Sequence, residues 1–360
     1  MKRPEQNRIT KLRQLMKEGS IPALLVTRRE DVRYLSGFTG TAGNLLVTAD
    51  RKILVTDFRY KIQACLQTKG ITILIQTKDI FAAIRNAADR LGVKKIWFDE
   101  SSLTLEDHKK LKKQGLVLKG HQDIVGILRR QKDKSEVATI RLAILRAEQS
   151  FHELRKHIKP GVTEHELRMR LEQLMRKHGS RKEAFDTIVA SGSNGAMPHA
   201  STTNRRIKKG ELVIFDFGAE ADGYYSDITR TICVGRPTAR QRAIHEIVLM
   251  AQTTAIRSVR PDTSCKSVDH SAREIIRRAG YGKQFGHGTG HGIGLMVHEG
   301  PSISRQSKDR IAKDMIFTVE PGVYVPGWGG VRIEDMVLVT DAGAEVLTTL
   351  PRELNCLKNL

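Results

Sequence analysis

Two segments of the chain share one layout at a spacing of 101 residues, and this repetition narrows the folds open to the chain. Residues 159–179 (KPGVTEHELRMRLEQLMRKHG) and 260–280 (RPDTSCKSVDHSAREIIRRAG) each start at a proline-containing break and end in glycine. Proline interrupts a helix and glycine commonly ends one, so helices flank each break. The repeated order predicts two similar halves with a site at their junction, although two unrelated helix–turn–helix units would also look alike. The predicted helices cover 133–158, 163–178, 237–259 and 264–279.

A pair of aspartates lies on a predicted β-hairpin in the first half. Strand patterns cover 211–218 (ELVIFDFG) and 224–230 (YYSDITR), with a turn between them. With the turn centred just after Ala221, Asp216 and Asp227 would face each other across the ladder. Opposed residues have Cβ atoms about 5 Å apart, and like charges there destabilise the pair. A bound cation would convert this repulsion into attraction.

A pair of glutamates lies on a second predicted hairpin. Strand patterns cover 315–325 (MIFTVEPGVYV) and 331–340 (VRIEDMVLVT), around a turn centred on Gly327. Glu320 and Glu334 are equally distant from that centre, so they too would be opposed. Each half of the repeat therefore supplies one hairpin with a facing carboxylate pair.

The two hairpins recur at nearly the spacing of the helices. Glu320 lies 104 residues after Asp216, and Glu334 lies 107 residues after Asp227. A solvated strand residue is the ordinary explanation for any one of these carboxylates, but it does not account for two facing pairs at the repeat spacing. Four negative charges are too many for one ion and suit two ions about 3.5–4 Å apart.

Three histidines lie in a glycine-rich run, 286–300 (GHGTGHGIGLMVHEG). His291 is the best ligand candidate, since the glycines let the backbone approach a crowded site and adopt positive φ where needed. His298 lies 99 residues after His199, so these two are candidate equivalents from the two halves, and His287 is a further candidate for the cavity wall. A lone histidine is more often a hydrogen-bonded core residue. Carboxylates with one or two imidazoles form an oxygen-rich set that favours Mn²⁺, Co²⁺, Fe²⁺ or Zn²⁺.

The first third of the chain has a different pattern. Short apolar runs alternate with helical patterns, which predicts an α/β layer with a domain boundary near residue 128. The predicted strands cover 22–27, 44–48, 53–57, 71–76, 95–99 and 116–119, and the predicted helices cover 59–69, 79–91 and 104–114.

These features together closely resemble the "pita-bread" metallopeptidases, the group that contains methionine aminopeptidase, prolidase and aminopeptidase P. The resemblance extends over residues 131–360 and implies an α+β catalytic domain of 129–360 with two pseudo-symmetric halves. The motifs that carry it are MPHA (197–200), FDFGAEADGYYSDITRT (215–231), GHGTGHGIGLMVHEG (286–300), TVEPGVYV (318–325) and GVRIEDMVLV (330–339).

The resemblance implies a role for each metal-ligand candidate. Asp216 would chelate one metal, His291 and Glu320 the other, and Asp227 and Glu334 would bridge both. A hydroxide held between the two metals would attack the scissile carbonyl. The expected cofactors are two divalent ions, Mn²⁺ first, with Co²⁺ or Zn²⁺ also compatible.

The resemblance also implies roles for residues that contact the substrate. His199 would contact the leaving side of the peptide, and His298 would stabilise the developing oxyanion. Glu320 would handle the transferred proton. His287 resembles a residue of the proline pocket, and Arg332 resembles the arginine of the proline-specific branch of the family.

The N-terminal third narrows the predicted substrate. Residues 31–43 (DVRYLSGFTGTAG) and 54–60 (LVTDFRY) resemble the N-terminal domain of Xaa-Pro peptidases and creatinase, which simple methionine aminopeptidases lack. The resemblance therefore implies a creatinase-like domain over 1–128 and cleavage of Xaa-Pro bonds in short proline-containing peptides. The motifs favour aminopeptidase P, with prolidase as the alternative. In the family this domain rims the active site, often of a neighbouring subunit, so a homodimer is expected.

Two other interpretations use the same fold. A pita-bread binding module without catalysis would usually have lost metal ligands, and a creatinase-like hydrolase would act without metal. The complete ligand set at Asp216, Asp227, His291, Glu320 and Glu334 disfavours both.

The net charge of +21 raises the question of an anionic partner. The basic runs at 109–113 and 205–209 have no interleaved aromatic residues, so they predict solvated faces and disfavour nucleic-acid binding. The four cysteines are scattered without paired spacing, and no run approaches the roughly 20 apolar residues of a membrane span. A soluble, cytoplasmic protein without membrane partners is expected.

Overall fold

The computed structural model of the chain describes residues 4–354. It separates the chain into two compact units, Met1–Arg129 and Arg130–Leu360. In the described part of the chain, none of the helices has the length and apolar character needed to cross a membrane.

The N-terminal unit is built on one mixed six-stranded sheet with helices, which confirms the α/β prediction. The strands run in the order β4-β3-β2-β1-β5-β6, with parallel pairing of β1 to β5, β5 to β6 and β3 to β4. Their bounds are β1 Ala23–Val26, β2 Gly43–Thr48, β3 Lys52–Thr56, β4 Thr72–Ile75, β5 Lys95–Asp99 and β6 Val117–His121. The helices are α1 Pro4–Glu18, α2 Arg29–Ser36, α3 Lys61–Gln67, α4 Ile80–Arg90, α5 Leu105–Lys113 and α6 Ile124–Arg130.

Helices α1, α2 and α6 are absent from the sequence-based prediction. The first of them is strongly polar, and Ile9, Leu12 and Met16 are the apolar residues of its buried face. Their spacing of three and four residues is the helical signal that a search for longer apolar stretches overlooks.

The C-terminal unit contains the four helices that the repeat predicts. Three of them begin with a capping box, in which the residue before the helix and the residue three positions later exchange hydrogen bonds. Their bounds are α7 Lys134–Leu154, α8 Glu164–Lys177, α9 Ala239–Ser258 and α10 Cys265–Arg278.

The two halves also share a corresponding backbone contact. Thr163, which caps α8, forms a β-bridge with Arg206, and Ser264, which caps α10, forms the corresponding bridge with Arg310. Both bridges are antiparallel, and each tethers a helix start to a later segment of its own half. The two halves are therefore structurally equivalent, as the 101-residue spacing predicts.

The strands of the C-terminal unit form two main sheets, in the orders β11-β8-β7 and β13-β12-β14-β17-β18, and two short ribbons, β9 with β10 and β15 with β16. The bounds in the first half are β7 Ile188–Ser191, β8 Leu212–Phe217, β9 Glu220–Ala221, β10 Tyr224–Tyr225 and β11 Ile228–Cys233. In the second half they are β12 Gly290–Gly292, β13 Glu299–Ile303, β14 Ile316–Val319, β15 Gly322–Val325, β16 Gly329–Arg332, β17 Asp335–Thr340 and β18 Gly343–Val346.

The register of the first hairpin differs from the predicted one. Asp216 pairs with Thr229, and the turn is the two-residue loop Asp222-Gly223, one residue later than predicted. Asp227 is thus two positions along the strand from the partner of Asp216, so the two aspartates are diagonal neighbours instead of opposed residues. Both residues of the loop have positive φ, the geometry of a tight type I′ turn.

The register of the second hairpin is the predicted one. Gly322 pairs with Arg332 on either side of the centre at Gly327, and β14 and β17 continue in the same register. Glu320 and Glu334 lie two residues beyond that pair, directly opposite each other. Packing of the apolar residues of β14 and β17 against α9 and α10 fixes this register, because a one-residue slip would turn them to the opposite face of the sheet.

Candidate metal centre

Three of the four predicted carboxylates lie at interruptions in the two hairpins, and Asp216 lies within β8. Asp227 occupies the break between β10 and β11, and Glu320 and Glu334 occupy the breaks between the β14–β17 ladder and the β15–β16 ribbon. Pro321 has no N–H to donate, which is one reason why the ladder stops there. The interruptions free these side chains from the regular pleat, so they project into one cavity.

The cavity has a volume of about 690 Å³ and is lined by residues of both halves. It contains all the residues that the sequence assigned to the site: His199, Asp216, Asp227, His287, His291, His298, Glu320, Arg332 and Glu334.

Asp227, His291 and Glu334 form the centre of this group. Each offers a ligand atom, and the three atoms lie within 4.8 Å of one another. His291 Nε2 is 3.6 Å from Asp227 Oδ2 and 3.4 Å from Glu320 Oε1. These distances place an imidazole and three carboxylates around one small volume.

Two carboxylate oxygens of the site accept no hydrogen bond from the described residues. Asp216 Oδ2 accepts from Arg332 Nη2 at 2.7 Å, and Glu334 Oε2 accepts from Thr229 Oγ1 at 2.7 Å. The second oxygens, Asp216 Oδ1 and Glu334 Oε1, are buried and have no such partner. Buried acceptors are nearly always satisfied, so a ligand is the natural partner for both.

The electrostatics of the site also fit cations. Burial, joined by repulsion from Glu334, raises the pKa of Asp227 well above its ordinary value. Burial together with repulsion from Glu320 does the same to the pKa of Glu334, and burial raises the pKa of Glu320. Oxygen-rich donors of this kind, with one imidazole, match divalent metal ions. The residues present therefore fit the implied metal centre.

His291 is held in an orientation suited to a ligand. Its backbone N–H donates to Thr318 Oγ1 at 3.1 Å, and its Nδ1 lies 3.1 Å from the carbonyl oxygen of Gly292. With Nδ1–H donating to that carbonyl, Nε2 is left free toward the carboxylates. Burial lowers the pKa of His291, which favours the neutral imidazole that binds metal.

The glycines around His291 permit close approach of backbones. A Cβ on Gly290 would lie 1.8 Å from the carbonyl oxygen of Thr318, and one on Gly292 would lie 2.0 Å from that of Gly300. None of the glycines from 286 to 300, all of which are described, has φ in the left-handed region. The expectation of positive φ in this run is therefore wrong, and tight strand packing is the reason for glycine here.

Three more histidines line the cavity. His287 Nε2 lies 2.9 Å from the hydroxyl oxygen of Tyr324, and the rings of His291 and His298 have centroids 4.1 Å apart. Burial lowers the pKa of His287 and of His298, so both are neutral at neutral pH. His199 also lines the cavity. The carbonyl oxygen of the preceding residue, Pro198, accepts a hydrogen bond from Arg332.

Arg332 connects the carboxylates to one wall of the cavity. It donates to Asp216, to Thr229 Oγ1 at 3.1 Å through Nε and to the Tyr324 hydroxyl at 2.8 Å through Nη1. Burial raises the pKa of Tyr324 to about 12, so its hydroxyl stays protonated and can donate to His287.

Tyr324 and Thr229 were not among the predicted site residues. Tyr324 lies four positions after Glu320 in one strand, and Thr229 lies two positions after Asp227 in another. In the sequence pattern these are even spacings within predicted strands, where alternate residues share a face, so the alternation is a signal that could have identified both, although the structure interrupts the strands at Glu320 and Asp227.

Arg230 fixes the two hairpins to each other behind the metal ligands. Its guanidinium is fully buried and donates to Asp335 Oδ1 at 2.7 Å through Nη2. The same group donates to the carbonyl oxygen of Glu334 and, at 2.9 Å, to that of Thr229. The backbone that carries Glu334 is thereby tied to the strand that follows Asp227.

A carboxylate-rich centre with one imidazole, built between two equivalent halves of an α+β unit, defines a metal-dependent hydrolase of the pita-bread class. Comparison with known families agrees: the model of Metallopeptidase family M24 matches residues 138–341, and that of the Creatinase/Prolidase N-terminal domain matches residues 8–130. The chain belongs to metallopeptidase family M24. The predicted enzyme class, the family resemblance and the fold class are thus confirmed.

Similar proteins match over nearly their whole length. The Xaa-Pro dipeptidase of Pyrococcus furiosus is 37% identical over 351 residues, which cover 97% of this chain and 99% of that protein. A solved Xaa-Pro dipeptidase from Bacillus anthracis is 39% identical, with a TM-score of 0.95 over 98% of this chain and 99% of the other. A solved X-Pro aminopeptidase from Thermotoga maritima MSB8 is 37% identical, with a TM-score of 0.89 over 96% of this chain and 99% of the other.

Proposed function

We propose that the protein is an Xaa-Pro dipeptidase, a metallo-exopeptidase that hydrolyses the bond between an N-terminal residue and a following proline. The main support is that one cavity contains the carboxylate–histidine centre together with His287, Tyr324 and Arg332. The similarity to the dipeptidases of Pyrococcus furiosus and Bacillus anthracis supports the same substrate class. The sequence motifs favoured aminopeptidase P, whereas these relatives favour the prolidase alternative, which we adopt.

An Xaa-Pro aminopeptidase is the second candidate. The X-Pro aminopeptidase of Thermotoga maritima is as similar in sequence as the dipeptidase of Pyrococcus furiosus, at 37% identity in each case. The two activities share the bond that is broken and differ in the length of peptide beyond proline. A dipeptide and a tripeptide substrate with proline in the second position separate the two activities.

Metal binding is assigned to the five carboxylate and imidazole residues of the centre. Asp216, Asp227, His291, Glu320 and Glu334 would hold two divalent ions in this cavity. Divalent ions held there would supply Lewis acidity, polarising the scissile carbonyl and making water acidic enough to act as a nucleophile near neutral pH. Mn²⁺ is the first candidate, because the donor set is rich in carboxylate oxygen, and Co²⁺ or Zn²⁺ are compatible with it.

Glu320 is assigned to proton transfer. Thr318 Oγ1 donates to its Oε1 at 3.2 Å, so Oε2 is the oxygen that remains available to carry a proton from water to the departing proline nitrogen. His298, neutral and beside His291, is assigned to donate a hydrogen bond to the oxygen that becomes negative as the carbonyl is attacked. His199 is assigned to hold the leaving side of the peptide.

The wall formed by His287, Tyr324 and Arg332 is assigned to the proline ring. An Xaa-Pro bond has no N–H, so a peptidase that binds that N–H loses a contact with this substrate. A wall with a hydrogen-bonded imidazole and phenol offers flat surfaces for the ring instead. Arg332 keeps this wall in fixed relation to Asp216.

The test is hydrolysis by protein loaded with Mn²⁺ or Co²⁺, with and without a chelator. The substrates are Leu-Pro, Leu-Pro-Gly and the control Leu-Ala-Gly. We expect chelator-sensitive cleavage of Leu-Pro alone. Cleavage of Leu-Pro-Gly would establish the aminopeptidase instead, and a metal-loaded protein that cleaves none of the three would exclude both.

The homodimer and the cytoplasmic location stay predictions. These two predictions come from the resemblance and the composition. Light scattering on purified protein measures the oligomeric state directly.

A further inference from the structure

The cavity has a second wall on the far side of Asp216 from Arg332. In the sheet β11-β8-β7, Thr229 pairs with Asp216, and Asp216 pairs with Ile188, so the three residues form one row across neighbouring strands. Strands are about 4.8 Å apart, so Ile188 and Thr229 are separated by about 10 Å. Arg332 is bonded to the Thr229 end of the row, and the second wall stands at the Ile188 end.

The second wall carries a cation with unused hydrogen-bonding capacity. Arg168, on helix α8, lines the cavity, and its buried Nε has no hydrogen-bond partner among the described residues. Among residues 4–354 it pairs with Glu172, at 3.7 Å between Nε and Oε1. That distance exceeds a hydrogen bond, so the guanidinium is attracted to Glu172 without being fixed by it.

The same wall carries a buried hydroxyl. Thr187, which precedes β7, is 2% exposed and lines the cavity. Its Oγ1 lies beside the Glu172 carboxylate but makes no hydrogen bond of normal length. Buried polar groups are nearly always hydrogen-bonded, so two unpaired ones in one wall point to an external partner.

The acidic neighbours of this wall do not cancel its cation. Glu172 Oε1 is 3.7 Å from Arg168 Nε, so the two side chains share no direct hydrogen bond through these atoms. Asp186 also lines the cavity, but it is exposed, so solvent and salt screen its charge. Phe185 adds an apolar surface on which an aliphatic stem can lie.

We propose that Arg168 and Thr187 determine which residue the enzyme accepts before proline, and that they select an acidic side chain, aspartate or glutamate. The inference rests on the proposed Xaa-Pro cleavage, in which the wall at Arg332 takes the proline ring. The scissile bond then lies over the carboxylates between the two walls, and the side chain of the preceding residue extends toward Arg168. The guanidinium and the hydroxyl donate hydrogen bonds to its carboxylate.

The experiment compares kcat/KM for Glu-Pro and Gln-Pro, two dipeptides of nearly equal shape that differ in one negative charge. We expect the intact metal-loaded enzyme to prefer Glu-Pro by about tenfold, the usual scale of one charge-assisted hydrogen bond. The variant Arg168→Gln should bring this ratio close to one. The charge reversal Arg168→Glu should create a preference for Lys-Pro over Gln-Pro.

The matched control is Arg170→Gln, which removes an exposed arginine two positions along the same helix. We expect it to keep the full Glu-Pro preference, which separates a direct contact from a change in net charge. If Arg168 variants do not fold, Thr187→Val serves as the second test and should lower the same ratio by about two- to fivefold.

The outcomes separate this inference from the function on which it rests. Cleavage of Xaa-Pro dipeptides with no preference for Glu-Pro, or a preference that survives in Arg168→Gln, overturns the role of Arg168 and leaves the dipeptidase intact. Failure to cleave any Xaa-Pro dipeptide overturns both.

Discussion

Asp227 carries a carboxylate that destabilises the metal-free protein and that we propose is needed to bind metal. Its carboxyl is buried beside other carboxylates, which raises its pKa and opposes its ionisation. We expect Asp227→Asn to lose most of the bound metal, because the amide is a poorer ligand and cannot bridge two cations by charge. We also expect the metal-free variant to melt at a higher temperature than the metal-free parent, because a source of repulsion is gone.

Metal content by elemental analysis and calorimetric melting temperatures measure the two effects. Asp341→Asn is the control, since Asp341 is exposed and pairs only with Lys313 on the surface. A variant that keeps full metal occupancy would remove Asp227 from the ligand set.

His298 offers a second test at the residue scale. Its proposed hydrogen bond forms only as the oxyanion develops, so it should act on kcat and leave metal binding unchanged. We expect His298→Ala to lower kcat for Leu-Pro by about 10²–10³-fold, the usual effect of losing one such donor. The exposed His270, replaced in the same way, is the control. Unchanged kcat in His298→Ala would show that the residue lies outside the reaction.

At the scale of elements, strand β12 depends on glycine for its place between its neighbours. A methyl group at Gly290 would collide with the carbonyl oxygen of Thr318, whereas one at Gly286 would meet nothing within 4 Å. We expect Gly290→Ala to destabilise the protein by about 1–3 kcal/mol, the usual cost of overpacking, and to weaken metal binding through His291. Gly286→Ala should stay within about 0.5 kcal/mol of the parent. Chemical denaturation measures both, and equal stability of the two variants would contradict the packing argument.

Helix α9 carries a buried histidine that makes stability depend on pH. His245 is 4% exposed, and burial lowers its pKa to about 4, against an ordinary value of about 6.5. The unfolded chain therefore binds more protons than the folded chain between these values. Its contribution to stability is complete above pH 6.5 and is lost as the pH falls toward 4, by up to about 3 kcal/mol.

The measurement is the melting temperature of the parent and of His245→Asn at pH 7.5 and pH 4.5. We expect the parent to lose more stability over this interval than the variant. His152→Asn, which changes an exposed histidine on α7, should behave like the parent. Equal losses in the parent and His245→Asn would exclude His245 as the source.

The hairpins show what the sequence can and cannot specify. The second register follows from symmetry about Gly327 and is correct. The predicted register of the first hairpin is wrong by one residue. Its turn lies at Asp222-Gly223, a common sequence for a two-residue turn, and not one residue earlier. The site residues nevertheless come together, since a diagonal pair stays on one face of the sheet, about 7–8 Å apart, and remains within reach of long side chains. Contacts such as that between Arg332 and Asp216 depend on side-chain conformations, which periodicity does not contain.

At the scale of the whole molecule, the proposed metal ligands come from both halves of the C-terminal unit. Metal that binds only the folded state stabilises it by mass action, by about 2.7 kcal/mol at a hundredfold excess over Kd. We expect loading to slow amide hydrogen exchange in both ligand hairpins, residues 212–233 and 316–340, while β1 to β6 of the N-terminal unit keep their rates. Exchange measured by mass spectrometry with and without Mn²⁺ tests this, and protection in one hairpin alone would contradict a shared centre.

The motifs along the whole chain indicate the family more firmly than they indicate the dipeptidase or the aminopeptidase branch within it. The ordered motifs specify the metal ligands, which a dipeptidase and an aminopeptidase can share. What separates the two is the space beyond the proline ring, and that space depends on tertiary packing around the cavity. Sequence motifs alone therefore favoured one branch while the full-length relatives favour the other.

The division of the ligands between two hairpins has a consequence for biosynthesis. Asp216 and Glu334 are 118 residues apart, so a chain on the ribosome cannot assemble the centre until Glu334 has emerged and its hairpin has folded. The first half alone presents two aspartates and no imidazole ligand from the glycine-rich run. Peptidase activity is thus withheld from the growing chain by the order of its own residues.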